Sequence, residues 1–148
     1  MTWTILFLSF LSTANFSDND NIAEIRHDFH LIENKDDLLS FLDNYKDSDC
    51  DLAEPFIAAA SMQMARHAFI TKKMRYFTTG KERLELYIKN NPTSVEAKYI
   101  RLLIQKEIPS FLNYNDSIES DREFIVFHLP TSNLPKEYQK IILQNIQK

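Results

Sequence analysis

Glycine is almost missing from this chain of 148 residues: Gly80 is the only one. Phosphate-cradling loops and dinucleotide-binding turns need several residues without a Cβ, so those nucleotide-enzyme classes are excluded together. Cysteine is equally scarce. Cys50 stands alone, so no internal disulfide forms, and no basic residue nearby would activate its thiol. Tight β-turns draw on glycine, and the five prolines, Pro55, Pro92, Pro109, Pro130 and Pro135, all fall at helix ends or in loops. Both facts favour an all-α chain over a sheet. A chain of this length buries enough surface to fold as one domain without cross-links.

Charge is unevenly placed. Residues 18–54 carry twelve acids against three bases, residues 55–106 three against ten, and residues 107–148 six against four. A net +7 block of this kind can face nucleic acid, but here acidic segments flank it and nucleic acid is not the favoured partner.

The long apolar run Trp3 to Leu11 is too short for a bilayer span of about 20 residues and suits the core of an export signal. Ser12 and Ala14 supply the small residues of a cleavage site after Ala14. A signal over residues 1–14 is therefore expected, without Lys or Arg before the run and with no membrane span left after cleavage; the alternative is a buried first helix or strand of a cytoplasmic protein. The helical domain then occupies residues 21–148.

Helical periodicity governs the remainder. Ile22, Ile25, Phe29 and Ile32 mark a first helix, and Asn34 with Asp37 caps a second through Tyr45. Asp51 and Glu54 form the pattern of a capping box for a third helix running to Ile70, apolar on most sides and placing His67 beside Met64 and Ala68. A fourth helix over residues 73–89 aligns Phe77, Gly80, Leu84 and Ile88; the mid-helix glycine predicts a close crossing. Asn91-Pro92 stops it, Thr93 with Glu96 caps a fifth, and Asp116 with Glu119 caps a sixth. A last helix begins near Pro135. The apolar segment Ser110 to Tyr114 is expected to fold back into the core.

Candidate chemistry is sparse. Glu24 and His27 have the Glu-x-x-His spacing of carboxylate metal bundles, with His30 a turn on, but no second copy completes a site. Asp47, Asp49 and Asp51 begin like a calcium loop, yet Leu52 and Ala58 stand where glycine and glutamate belong. No nucleophile is paired with a base. Hence no catalytic residue, metal or cofactor is assigned. Arg101, set between Ile100 and Leu102, is expected to pair with Asp121 and lock the loop after Pro109.

Around Pro92 the chain resembles a tetratricopeptide repeat, with Ala68 and Gly80 at the small positions and Leu84 at the large one; Tyr87 and Met64 depart from the motif. Ala53-Glu54-Pro55-Phe56-Ile57-Ala58-Ala59, Arg75-Tyr76-Phe77, Asn91-Pro92, Glu96 to Leu102 and Pro109 to Tyr114 are similar to segments of small exported helical proteins of Bacteroidota-type bacteria. That likeness spans about residues 52–125 and implies a periplasmic compartment and a helical fold, but no activity.

The sequence thus predicts an all-α, antiparallel helix-hairpin bundle of six or seven helices, acting as a non-enzymatic scaffold whose partner is a protein. Its binding residues are expected among Arg66, His67, Lys73, Arg75, Arg101, Phe111 and Tyr114. The competing class is a small-ligand binder or enzyme in which Arg66, His67, Arg101 and Tyr114 converge on a pocket between helices. A third class is a purely structural, self-associating domain, and oligomeric state is left open.

Overall fold

The computed structural model describes residues 18–147, so the expected signal and its cleavage point lie outside the described residues. Among the described residues there are seven α-helices and no strand: α1 (Asp18–His30), α2 (Lys35–Tyr45), α3 (Glu54–Gln63), α4 (Ile70–Asn90), α5 (Val95–Glu107), α6 (Ile118–His128) and α7 (Lys136–Gln147). None is long and apolar enough to cross a membrane.

Two helices form the hub. α3 buries Pro55 to Ala60 and Met62, and takes α1, α2, α4 and α5 on its sides. Its run of alanines explains how so many neighbours fit, because each short side chain lets a helix axis approach. α5 is the second hub and carries α6 and α7. Pair geometry shows antiparallel packing in both layers. Glu54 meets Arg83 while Met62 meets Gly80 across α3 and α4. Across α5 and α6, Lys98 lies over Phe124, Arg101 meets Asp121, and Gln105 accepts from the Ser117 amide.

Gly80 has a visible purpose. A Cβ built there would lie 2.7 Å from the Ala58 carbonyl oxygen and 2.6 Å from Met62 Cγ, so only hydrogen fits at this crossing. The stripe that flanks it, Phe77, Leu84 and Ile88, is buried against α3.

Several helix boundaries depart from expectation, for identifiable reasons. Asn34 does cap α2 with Asp37 in a reciprocal capping box. Asp51 does not cap α3: residues Asp51–Ala53 form a 3-10 turn, and Glu54 is engaged by Arg83 through two 2.7 Å hydrogen bonds. Thr93 does not cap α5; Ser94 does, accepting from the Ala97 amide, while Glu96 is drawn away to Arg26. Asp116 and Glu119 do not cap α6, because Asp116 accepts from Gln105 and Glu119 pairs with Arg122.

The largest correction concerns residues 64–70. The third helix ends at Gln63, Met64–His67 tighten into a 3-10 turn, and Ala68 and Phe69 are extended before α4 begins at Ile70. The reversal is needed for α4 to return along α3 and bury its stripe. His67 is consequently exposed and does not sit on an apolar helix.

Candidate docking surface

Arg101, Asp121 and Tyr114 are buried and form one charge cluster with the half-exposed Glu85. Arg101 donates from Nε and Nη2 to the two Asp121 oxygens at 2.7 Å each, and from Nη1 to Glu85 Oε2 at 2.8 Å. Tyr114 donates its hydroxyl proton to the other Glu85 oxygen at 2.5 Å. Burial alone would lower the Arg101 pKa, but the Asp121 bonds and charge outweigh it and hold the guanidinium well above its ordinary value. Burial, then Glu85, pushes the Tyr114 phenol far up, so it stays protonated. Every group is matched, and the cluster clasps α4, α5, α6 and the loop after Pro109.

A second polar chain crosses the other side of α5. The Arg26 carbonyl accepts from His30 Nδ1 at 2.7 Å, which leaves His30 Nε2 to accept the Tyr99 hydroxyl proton at 2.8 Å. Asn145 donates to the same Tyr99 oxygen at 2.8 Å. Burial lowers the His30 pKa, favouring this neutral tautomer, and raises that of Tyr99 to about 12. Arg26 grips Glu96 at 2.6 and 3.0 Å and lies over the Tyr138 ring. Among the described residues the Tyr138 hydroxyl is buried near Glu96 without a hydrogen bond of good geometry.

The four residues on which a pocket was expected do not converge. Arg101 and Tyr114 share Glu85, whereas Arg66 and His67 lie exposed beyond α3, with Arg66 bonded to Glu107 at 2.8 Å. A cavity of about 730 Å³ lies elsewhere. It is walled by the start of α5, the α1 residues Ile22 and Arg26, and the turn from Thr131 to Pro135. Its charges, Arg26 and Glu96, are spent on each other. Among the described residues no three His, Cys, Asp or Glu side chains gather closely enough to hold a metal ion. Glu24 and His27 are exposed, and His30 is occupied by its two bonds.

The conspicuous surface is the start of α4. That helix has 21 residues against 10 in α3, so its apolar stripe outruns its support. Ile70 and Met74 continue the line of Phe77, Gly80, Leu84 and Ile88 at helical spacing, but lie past the end of α3, where Met74 is 56% exposed and Ile70 more so. Phe69 is 85% exposed and Ile70 84%. Phe111 belongs to the same end of the bundle. The Arg66–Glu107 pair and the Phe77–Tyr114 ring contact bring its loop alongside α4, where Phe111 is 77% exposed rather than folded into the core; Tyr114 is buried and Leu112 packs against the core, as expected.

Around this apolar tip the charge has one sign. From Pro55 through Lys81 the sequence contains no acid, while Arg66, Lys72, Lys73 and Arg75 fall within it. Lys72, Lys73 and Arg75 are exposed and have no carboxylate within ion-pair range among the described residues. Their position also opposes the helix dipole, since no side chain caps α4 and its first turn holds no acid. Two lysines at the positive end of a helix are an unfavourable arrangement that an incoming carboxylate would relieve. Of the expected binding residues, the structure brings Arg66, His67, Lys73, Arg75 and Phe111 to this end and places Arg101 and Tyr114 in the interior cluster. Phe69, Ile70 and Met74 were missed, although their spacing is the signal that finds them. No family model matches the chain, and no curated protein or solved structure matches it either.

Proposed function

We propose that the chain is a non-enzymatic protein-interaction module, exported to the periplasm and built on helix hairpins of the tetratricopeptide kind, which captures its partner with the tip of α4. The observation that carries this reading is the apolar stripe of α4 running on past α3, with Ile70 and Met74 uncovered inside a cationic collar. A contiguous exposed apolar patch rimmed by charge is the usual mark of a protein contact. The partner it suits is a protein face with an apolar centre and acidic margins.

The test immobilises the full chain and compares proteins retained from cell extract by the wild type, by Ile70→Glu at the tip, and by Phe127→Glu on the distant α6 surface. A protein held by the first and third but lost by the second supports the module. Identical retention by all three removes it. The amino terminus of the native protein tests export separately: a start at Asn15 supports it, an intact Met1 refutes it.

A small-ligand role has one observation in its favour, the 730 Å³ cavity with Thr93, Ser94, Thr131 and Ser132 around the Arg26–Glu96 pair. A low-molecular-weight compound that raises the melting temperature of the wild type, and not of a Ser94→Trp variant, would favour that reading.

A further inference from the structure

We propose that the tip of α4 docks on a second copy of this chain, forming a two-fold symmetric dimer in which each tip enters the acidic groove between α1 and α2 of the other copy. The proposal rests on the docking role given to the tip above and names its partner.

The groove has complementary chemistry. Asp28, Leu31, Asp37, Ser40, Phe41 and Asn44 line a depression of about 180 Å³. Leu31 is 57% exposed there, offering apolar contact for Ile70 or Phe69. Asp28 is fixed by the Tyr45 hydroxyl, which donates to it at 2.6 Å. Glu33 and Asp36 stand exposed beside the groove, with Lys35 between them in sequence and Arg66, already bonded to Glu107, across the cleft from Glu33. The surface therefore presents carboxylates around an apolar spot, where the tip presents cations around an apolar spot.

Position decides the symmetry. α2 packs against the 3-10 turn Met64–His67 that leads into the tip, and a shallow cleft links Glu33 and Asn34 to Arg66 and His67. Donor and acceptor surfaces are thus neighbours at one end of the bundle. When two complementary patches adjoin, a two-fold axis between them satisfies both contacts at once and closes the assembly. A head-to-tail contact between the same patches would instead build a ring or an open filament. Neighbouring acids within the same chain leave Lys72, Lys73 and Arg75 unpaired among the described residues, and the symmetric arrangement supplies carboxylates from the other copy.

Sedimentation of the full chain from about 1 to about 500 µM tests this, a range that brackets micromolar association. The wild type is expected to reach twice the chain mass and stop there. Lys72→Glu with Lys73→Glu, and separately Glu33→Lys with Asp36→Lys, should each weaken association at least about tenfold. Mixing the two variants should restore a dimer, because both contacts regain opposite charges. Ile70→Ser, which leaves the charges alone, should also weaken it. A wild type that stays monomeric throughout overturns the dimer, as does a mass that keeps growing. Single variants that associate like the wild type, or a mixture that stays monomeric, overturn the proposed contact. A monomeric wild type whose extract partner still depends on Ile70 would leave the module standing and remove only self-association.

Discussion

Arg101 on α5 and Asp121 on α6 are joined by two parallel 2.7 Å hydrogen bonds, with both side chains buried. Removing one partner breaks both of these short bonds and leaves a buried charge with a weaker companion, Glu85 for Arg101 and Lys98 at 4.0 Å for Asp121. Asp121→Asn, or Arg101→Met alone, should cost about 3–5 kcal/mol of stability. The double change Arg101→Met with Asp121→Leu should recover part of that loss, since it removes both buried charges and leaves only Glu85, still bonded to Tyr114, and Lys98 without a partner. Chemical denaturation of the three variants checks the sequence of effects; a mild loss in both single variants would refute it.

At Gly80 two principles oppose each other. Alanine gains about 1 kcal/mol of helix propensity over glycine, but its methyl would lie 2.7 Å from the backbone oxygen of Ala58, which cannot rotate away. Overpacking costs about 1–3 kcal/mol. Gly80→Ala should therefore destabilise the protein on balance, with a lower melting temperature as the readout.

Two tyrosine hydroxyls should respond in opposite directions. Tyr99 donates to His30 and accepts from Asn145, so Tyr99→Phe leaves both partners unsatisfied and should cost about 1–3 kcal/mol. Among the described residues the buried Tyr138 hydroxyl makes no hydrogen bond of good geometry. Tyr138→Phe keeps the ring beneath Arg26 and should leave stability unchanged or raise it by about 1 kcal/mol. Equal losses in paired thermal melts would contradict this.

Acid should act through His30. Burial holds its folded-state pKa below the ordinary 6.5, while the unfolded chain titrates normally. The unfolded state thus binds the proton more readily, and its contribution to stability is present in full above about 6.5. That contribution is lost as pH falls through the lower folded value. The His30 ring signals in NMR should titrate with a midpoint below 6.5, and His30→Gln should flatten the fall in stability across this window relative to the wild type.

The tip should be separable from folding. Ile70→Glu and Phe69→Glu alter side chains that are mostly in water, so each should change stability by no more than about 0.5 kcal/mol while abolishing capture of the partner. Circular dichroism melts alongside the binding assay distinguish this outcome from general unfolding.

Much of this architecture can be read directly from side chains. Pro92 stops α4, Asn34 with Asp37 opens α2, Gly80 marks a crossing, and the position of Arg101 between apolar neighbours points to a buried acid. The turn at residues 64–69 could not be read the same way, because neither Gly nor Pro interrupts the apolar pattern and only packing onto α3 forces the reversal. The docking surface was half visible for a related reason. Ile70 and Met74 have the same spacing as the buried residues of α4, and periodicity alone does not reveal where the opposing helix ends. Capping pairs misled where a stronger partner competed, as Arg26 does for Glu96 and Arg83 for Glu54.

The Tyr99 oxygen, shared by His30 of α1 and Asn145 of α7, ties the two outermost helices to the middle of the molecule at one atom. Clipping the chain ahead of α7 would thus be felt at its far end: Tyr99 would lose its donor, the His30 environment would open to water, and the grip of α1 would slacken. Protease trimming at one extremity should accordingly speed hydrogen exchange at the other.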